Sequence, residues 1–190
     1  MKFPYATEQA QAWIREHVQP GDTVIDATAG NGHDTEFLAR LVGADGRVLA
    51  FDIQSEALES TRTRLESEGL EERVTLILAG HETMAEHASQ ASTVMFNLGY
   101  LPGSDRARIT KAKTTLTAIE SAQQLLEPGG LITIVAYPTH EGGQAETEAV
   151  LAHCQGLGAD FRAIRYDPLN PKGTAVTLFA ICRPGGSGPE

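Results

Sequence analysis

The 190 residues carry 41% hydrophobic side chains and a formal net charge of −10. That length and apolar content suit one domain with a sizeable core and exclude a disordered tail protein. The acidic total argues against a generic nucleic-acid binder, although a local basic patch on an acidic body can still meet phosphates.

In chain order, Thr7 to His17 has helical spacing, with Ala10, Trp13 and Ile14 on one face, and Pro20-Gly21 ends it. Thr23 to Ala27 is a short buried strand. Gly30 and Gly32 mark a turn, and Asp34 to Val42 returns to helical spacing. Arg47 to Asp52 is the next strand. Ser55 to Glu68 is a helix with Ser55 as N-cap and Gly69 as its stop. Val74 to Ala79 is a third strand, Thr83 to Ala88 a short helix, and Ser92 to Asn97 a fourth strand. Thr110 to Leu126 is a long helix closed by Pro128-Gly129-Gly130, and Leu131 to Tyr137 a fifth strand. Glu141 to Leu157 is mostly helical. Phe161 to Tyr166 and Ala175 to Cys182 are two last strands, joined by the loop from Asp167 to Thr174.

Strands alternating with helices predict βαβ units and a parallel sheet. The last two strands have no helix between them, so they pair antiparallel. The fold class expected is α/β and Rossmann-like: a mostly parallel seven-stranded sheet with an antiparallel C-terminal hairpin strand and helices on both faces. Residues 1–183 read as one domain and 184–190 as a flexible tail. No apolar run of about twenty residues predicts a spanning helix, and MKFPYATEQAQAW does not read as a signal peptide. Cys154 and Cys182 form no zinc or CxxC pattern, so a cytoplasmic protein with reduced thiols is expected.

Three features coincide between Val24 and Gln54. A buried strand ends at Asp26, a turn with Gly30 and Gly32 leads into a helix, and a second strand ends in Asp52 about twenty residues on. Glycines let the backbone turn sharply and approach a ligand, and Asp52 is placed to accept hydrogen bonds from two ribose hydroxyls. A dinucleotide site would use GxGxxG with a pyrophosphate at the helix N-terminus. Here Thr35 takes the third glycine position and Asp34 stands where the pyrophosphate would lie. A ligand carrying an ammonium and a sulfonium suits that carboxylate better. Asp26 suits the amino group of such a ligand, directly or through water. For a lone GxG, ordinary turn residues would be the better reading; the spacing to Asp52 favours a nucleotide-like cofactor. The expected cofactor set is Asp26, Thr28, Ala29, Gly30, Asn31, Gly32, His33, Asp34, Thr35, Asp52, Ile53, Gln54, Gly80, His81 and Asn97.

The loop DATAGNGHDT (26–35), the segment NLGYLPG (97–103) and the segment YPTHEGG (137–143) together resemble the YtqB/MnmM-type family of class I tRNA methyltransferases, formerly labelled rRNA methylases. The resemblance runs from about Ala6 to Cys182. It implies a class I methyltransferase fold, S-adenosylmethionine as cofactor and S-adenosylhomocysteine as product. It also implies methylation of the aminomethyl nitrogen of 5-aminomethyl-2-thiouridine at wobble position 34 of tRNA, giving 5-methylaminomethyl-2-thiouridine. The family segment often reads YPGHEGG, whereas this chain has Thr139 before His140.

Methyl transfer to an amine requires mainly alignment at near-attack distance. Asn97 ends the fourth strand at the same crevice as Asp26. The Asn97 side-chain oxygen and the Leu98 carbonyl are placed to accept hydrogen bonds from the amine. Tyr100 either stacks on the base or packs in its loop. His140 is the candidate base, or else it caps a helix or holds the loop. His33 and His81 shape the cofactor pocket. No metal is expected, because no His, Cys or acid set has ligand spacing.

The densest basic run, Arg106, Arg108, Lys111 and Lys113, follows directly. It is read as a grip on the phosphates of the tRNA anticodon stem-loop, with Lys172 adding to it; the other reading is a solvated first helical turn. No membrane partner is expected. A homodimer would extend the RNA surface of so small a domain, though no residue argues for one. The competing readings are a methyltransferase acting on rRNA or a small molecule, a nucleotide-dependent oxidoreductase, and a silent RNA-binding module.

Overall fold

The computed structural model describes residues 3–99, 110–139, 141–171 and 175–185. Seven strands form one sheet: β1 (Thr23–Asp26), β2 (Arg47–Asp52), β3 (Val74–Leu78), β4 (Ala91–Asn97), β5 (Leu126–Ala136), β6 (Arg162–Tyr166) and β7 (Thr177–Cys182). Their order is β3-β2-β1-β4-β5-β7-β6. The first five run parallel, and β7 lies antiparallel to both β5 and β6. The expected mixed sheet is therefore present.

The helices are α1 (Ala6–His17), α2 (His33–Val42), α3 (Ser55–Glu68), α4 (Ala112–Leu125) and α5 (Gly143–Gln155). The central strands are apolar at successive positions because each face has its own cover. On one face Val24, Val48 and Met95 pack against Ile14 of α1, Leu38 of α2 and Leu65 of α3. On the other, Ile25, Phe51, Phe96, Ile134 and Phe179 pack against Ala118 and Ile119 of α4 and Val150 of α5. The strand order reverses between β1 and β4, and a crevice opens there beyond the carboxyl ends of the strands. Asp26, Asp52 and Asn97 end β1, β2 and β4 at that edge.

Several boundaries differ from expectation. Pro128-Gly129-Gly130 does not close a helix; it lies within β5, which begins at Leu126. The ladder there slips, with Ala91 opposite Leu126 but Thr93 opposite Leu131. Gly129 has φ +87°, and its N–H donates to the Arg183 carbonyl at 2.7 Å. A proline without a donor and a glycine at positive φ make a strand bend as readily as a helix stop. The long helix starts at Ala112 rather than Thr110, with Lys111 as its N-cap. Ser55 is not the N-cap of α3: Gln54 is, and the Ser55 hydroxyl donates to Glu56 instead. Gly69 does end α3, at φ +63°. The short helix expected over Thr83 to Ala88 is a 3-10 turn over His81–Glu86. Among the described residues, no helix is long and apolar enough to cross a membrane.

Candidate functional site

A cavity of about 730 Å³ opens at the carboxyl edge of β1, β2, β4 and β5. Its floor is the glycine-rich loop after β1. Two backbone bonds clamp that loop to the sheet: Ala27 N–H donates to the Met95 carbonyl and Ala29 N–H to the Phe51 carbonyl, both at 2.9 Å. Gly30 and Gly32 have φ +53° and +80°. A Cβ on Gly32 would stand 2.9 Å from the Thr61 Cα, so position 32 has neither the dihedral nor the room for a side chain.

The helix α3 grips the same loop from behind. Thr61 Oγ1 donates to the Gly30 carbonyl at 3.0 Å, and Arg64 Nε donates to the Asn31 carbonyl at 2.9 Å. Arg64 also pairs with Glu36 at 3.1 Å and lies 3.2 Å from His33 Nε2. The sequence reading missed both residues. Their signal was faint: two polar residues three apart, on the face of α3 turned toward the loop.

Three carboxylates surround the loop in different settings. Asp52 accepts from Gly30 N–H at 3.0 Å and Gln54 N–H at 2.9 Å, which fixes its plane and leaves each oxygen a further lone pair. Asp34 accepts from Gln11 Nε2 at 3.0 Å and from Asn97 Nδ2 at 3.1 Å. Asp26 is fully buried and accepts from Thr28 N–H at 3.0 Å and Thr35 Oγ1 at 2.6 Å. Burial, with the Asp34 charge adding to it, pushes the Asp26 carboxyl from 3.8 up to about 7.

Asp26, Gly32 and Thr35 lie behind the cavity wall, whereas the rest of the expected cofactor set lines it. Asp26 braces the loop from within through Thr28 and Thr35. His81 is buried, lies 3.2 Å through Nδ1 from the Ala27 carbonyl, and meets the Phe96 ring edge-on. Burial lowers its pKa, so the ring is neutral at pH 7. With Nδ1–H given to that carbonyl, Nε2 is an acceptor.

The opposite wall comes from Asn97, Leu98 and Gly99 after β4, Thr110, Lys111 and Thr114 at the start of α4, and Tyr137 and Thr139 after β5. Asn97 N–H donates to Thr28 Oγ1 at 2.8 Å, which ties this wall to the glycine loop. A carboxylate can only accept, so Asp34 holds the amide nitrogen of Asn97 and leaves its oxygen turned elsewhere. Leu98 is buried, with its N–H on the Val135 carbonyl at 2.9 Å. Lys113 is exposed and does not line the cavity. Tyr137, which the sequence reading noted only as part of its segment, is half-buried on the wall. Burial, and then the Asp34 charge, push its hydroxyl pKa up. Tyr100, Arg106, Arg108, His140 and Lys172 lie outside the described residues.

The floor fits a nucleoside-like cation by its own chemistry. It offers a glycine cradle that a Cβ would fill, a cavity-lining carboxylate held by two N–H groups with lone pairs to spare, and a second carboxylate where a phosphate would be repelled.

Comparisons with known proteins bear on this geometry. A family model described as "Putative rRNA methylase" matches residues 48–182. One for protein-L-isoaspartate(D-aspartate) O-methyltransferase matches residues 3–91. The chain is 40% identical over 190 residues to the chloroplastic tRNA (mnm(5)s(2)U34)-methyltransferase of Arabidopsis thaliana, covering 94% of this chain and 69% of that one. A crystal structure from Clostridium thermocellum, described as that of a "putative rRNA-methylase", superposes with a TM-score of 0.94 at 40% identity, covering 96% of this chain and all of that one. A Streptococcus mutans protein described as "a putative methyltransferase", solved in complex with S-adenosylhomocysteine, superposes with a TM-score of 0.88 at 36% identity, covering 96% of this chain and 99% of that one.

Proposed function

Because the chain belongs to the rRNA methylase family of S-adenosylmethionine-dependent methyltransferases, we propose that it methylates tRNA at the wobble uridine. The acceptor is the aminomethyl nitrogen of 5-aminomethyl-2-thiouridine at position 34, and the product is 5-methylaminomethyl-2-thiouridine. The observation that carries this reading is the orientation of Asn97. Its nitrogen is occupied by Asp34, and its oxygen, which has no partner among the described residues, is the proposed acceptor for an amine N–H in the cavity that the glycine loop also lines.

Asp52, Gln54, Gly80 and the 28–34 loop hold the cofactor on this reading, and the bound cofactor supplies an activated methyl group on sulfur. The protein's own task is alignment. Asn97 Oδ1 and the Leu98 carbonyl take the two hydrogens of a neutral primary amine and turn its lone pair toward the methyl carbon. An alkylammonium has a pKa near ~10, and the partly apolar cavity lowers it. As the C–N bond forms, the nitrogen loses one proton, for which His140 is the proposed base.

Arg106, Arg108, Lys111 and Lys113 are proposed to hold the backbone of the anticodon stem-loop, with the wobble base splayed toward Asn97 and Tyr100. Lys111 on the cavity wall supports this placement. A cytoplasmic setting and a homodimer belong to the same proposal; the Arabidopsis relative is named as chloroplastic.

The deciding assay compares methyl transfer to tRNA bearing the aminomethyl group with transfer to the same tRNA lacking it. Incorporation only into the first, with the methyl found on the side-chain nitrogen by nucleoside mass spectrometry, is expected. Equal incorporation into both would reject the wobble-amine reading.

A further inference from the structure

Glu146 lies on α5, outside the cavity wall, and is 2% exposed. Among the described residues it has no ion pair. Its two oxygens instead accept from two threonine hydroxyls: Oε1 from Thr115 at 2.6 Å and Oε2 from Thr110 at 2.8 Å. A buried carboxylate that, among the described residues, is met by hydroxyls alone is costly to keep, which asks for a reason beyond packing.

The reason lies one bond further on. Thr110 Oγ1, while donating to Glu146, accepts from Gly99 N–H at 3.0 Å, and Thr110 N–H donates to the Gly99 carbonyl at 3.1 Å. The chain of bonds has one direction, from Gly99 N–H to Thr110 O–H to Glu146. Because Glu146 can only accept, it obliges Thr110 to point its proton away from Gly99 and its lone pair toward it. Gly99 has φ +135°, a backbone state that side chains disfavour, and it directly follows Asn97 and Leu98.

We propose that Glu146, acting through Thr110, is a positioning residue for the methyl acceptor: it fixes Gly99 and thereby the direction of the Leu98 carbonyl and the Asn97 side chain. The proposal rests on the reading that the Asn97-Leu98 turn presents the amine. Among the described residues the side-chain hydrogen bonds of Glu146 and Thr110 run to one another, to Thr115 and to Gly99, not to the glycine loop, so the two steps, holding the cofactor and aligning the acceptor, separate experimentally.

The test uses the full chain with aminomethyl-bearing tRNA, and reads single-turnover rate and S-adenosylhomocysteine affinity together. Thr110→Val keeps the shape and loses the hydroxyl. It is expected to slow methyl transfer on the order of tenfold or more, as small misplacements do, with cofactor affinity unchanged. Thr110→Ser restores the hydroxyl and should recover most of the rate. Glu146→Ala should match Thr110→Val, and the double variant should be no slower than either single one, as expected for residues acting in one chain. Additive losses, or full activity of Thr110→Val beside an inactive Asn97→Ala, would overturn the latch. Full activity of Asn97→Ala would instead overturn the acceptor reading on which it rests. Unchanged cofactor affinity in each variant also shows that it has folded.

Discussion

Asn97 Nδ2 donates to Asp34 Oδ2 at 3.1 Å, while Gln11 Nε2 holds the other oxygen of the same carboxylate at 3.0 Å. One acid at the start of α2 thus orients the amide that ends β4 and is itself held by α1. Asn97→Asp would place two carboxylates in contact and leave no oriented amide. Single-turnover transfer should fall by roughly 100-fold or more, with cofactor affinity much less affected. Gln11→Ala leaves the Asn97 bond in place but frees Asp34 to move, so a smaller loss, about threefold to tenfold, is expected. A Gln11→Ala loss as deep as that of Asn97→Asp would mean that α1 contributes something other than the orientation of Asp34.

Two of the glycines at positive φ around β1, Gly21 and Gly32, separate strain from function. Gly21 has φ +95° and open space where a Cβ would go, whereas Gly32 has φ +80° and Thr61 at 2.9 Å. Gly21→Ala should cost only the backbone term, about 1 kcal/mol. Gly32→Ala carries the same term and pushes α3 off the loop, so it should unfold at lower temperature and also bind S-adenosylmethionine more weakly. Thermal melts with and without cofactor test this. Equal melting shifts for the two variants would show that the loop yields without cost.

Much of this arrangement was legible in the sequence, because it rests on local rules. Strand periodicity, the turn glycines and the twenty-residue spacing to Asp52 placed β1, β2 and the loop between them. Asn97 could be found because it ends an apolar strand at the same sheet edge. What stayed hidden was contact across the fold. Thr61 and Arg64 hold the loop from thirty-odd residues away, Gln11 reaches Asp34 from another helix, and Glu146 answers to Gly99 only through Thr110. No period in the chain encodes such meetings. Pro128-Gly129-Gly130 misled for a related reason: the same residues stop a helix or bend a strand, and the Arg183 carbonyl that decides between them is distant in sequence.

The raised pKa of Asp26 predicts that stability and cofactor binding both depend on pH. Its folded pKa, raised by burial and then by the Asp34 charge, stands at about 7 against 3.8 when unfolded. Between those values the native state holds a proton that the unfolded chain has lost. Its contribution is therefore full below about 4 and is lost as pH rises toward 7, a difference of roughly 2–4 kcal/mol across the window. Asp26→Asn should flatten that stretch of the stability curve. A cation bound nearby favours the ionised carboxylate. S-adenosylmethionine, with its sulfonium, should thus gain affinity from pH 6 to 8 relative to uncharged-sulfur S-adenosylhomocysteine, and Asp26→Asn should abolish the difference. Parallel curves for the two ligands in the wild-type protein would contradict the linkage.

The basic run must overcome a net charge of −10 to hold RNA, and its members differ in position. Both Lys111 and Lys113 are exposed, but Lys111, the N-cap of α4, lines the cavity and Lys113 does not. A phosphate contact at the target nucleotide differs from one along the stem. The first helps present the base; the second supplies mainly sequence-independent attraction. Charge reversal at Lys113 should weaken tRNA binding and flatten its salt dependence while leaving the rate at saturating tRNA near normal. Lys111→Glu should lower that saturated rate as well, because the lost contact lies beside the acceptor. Reversal at Arg106 and Arg108 should act on binding like Lys113→Glu. None of the four changes should alter S-adenosylhomocysteine affinity if the run serves the RNA alone. If all four reversals leave tRNA affinity and its salt slope unchanged, the run is a solvated helix start and the RNA is gripped elsewhere.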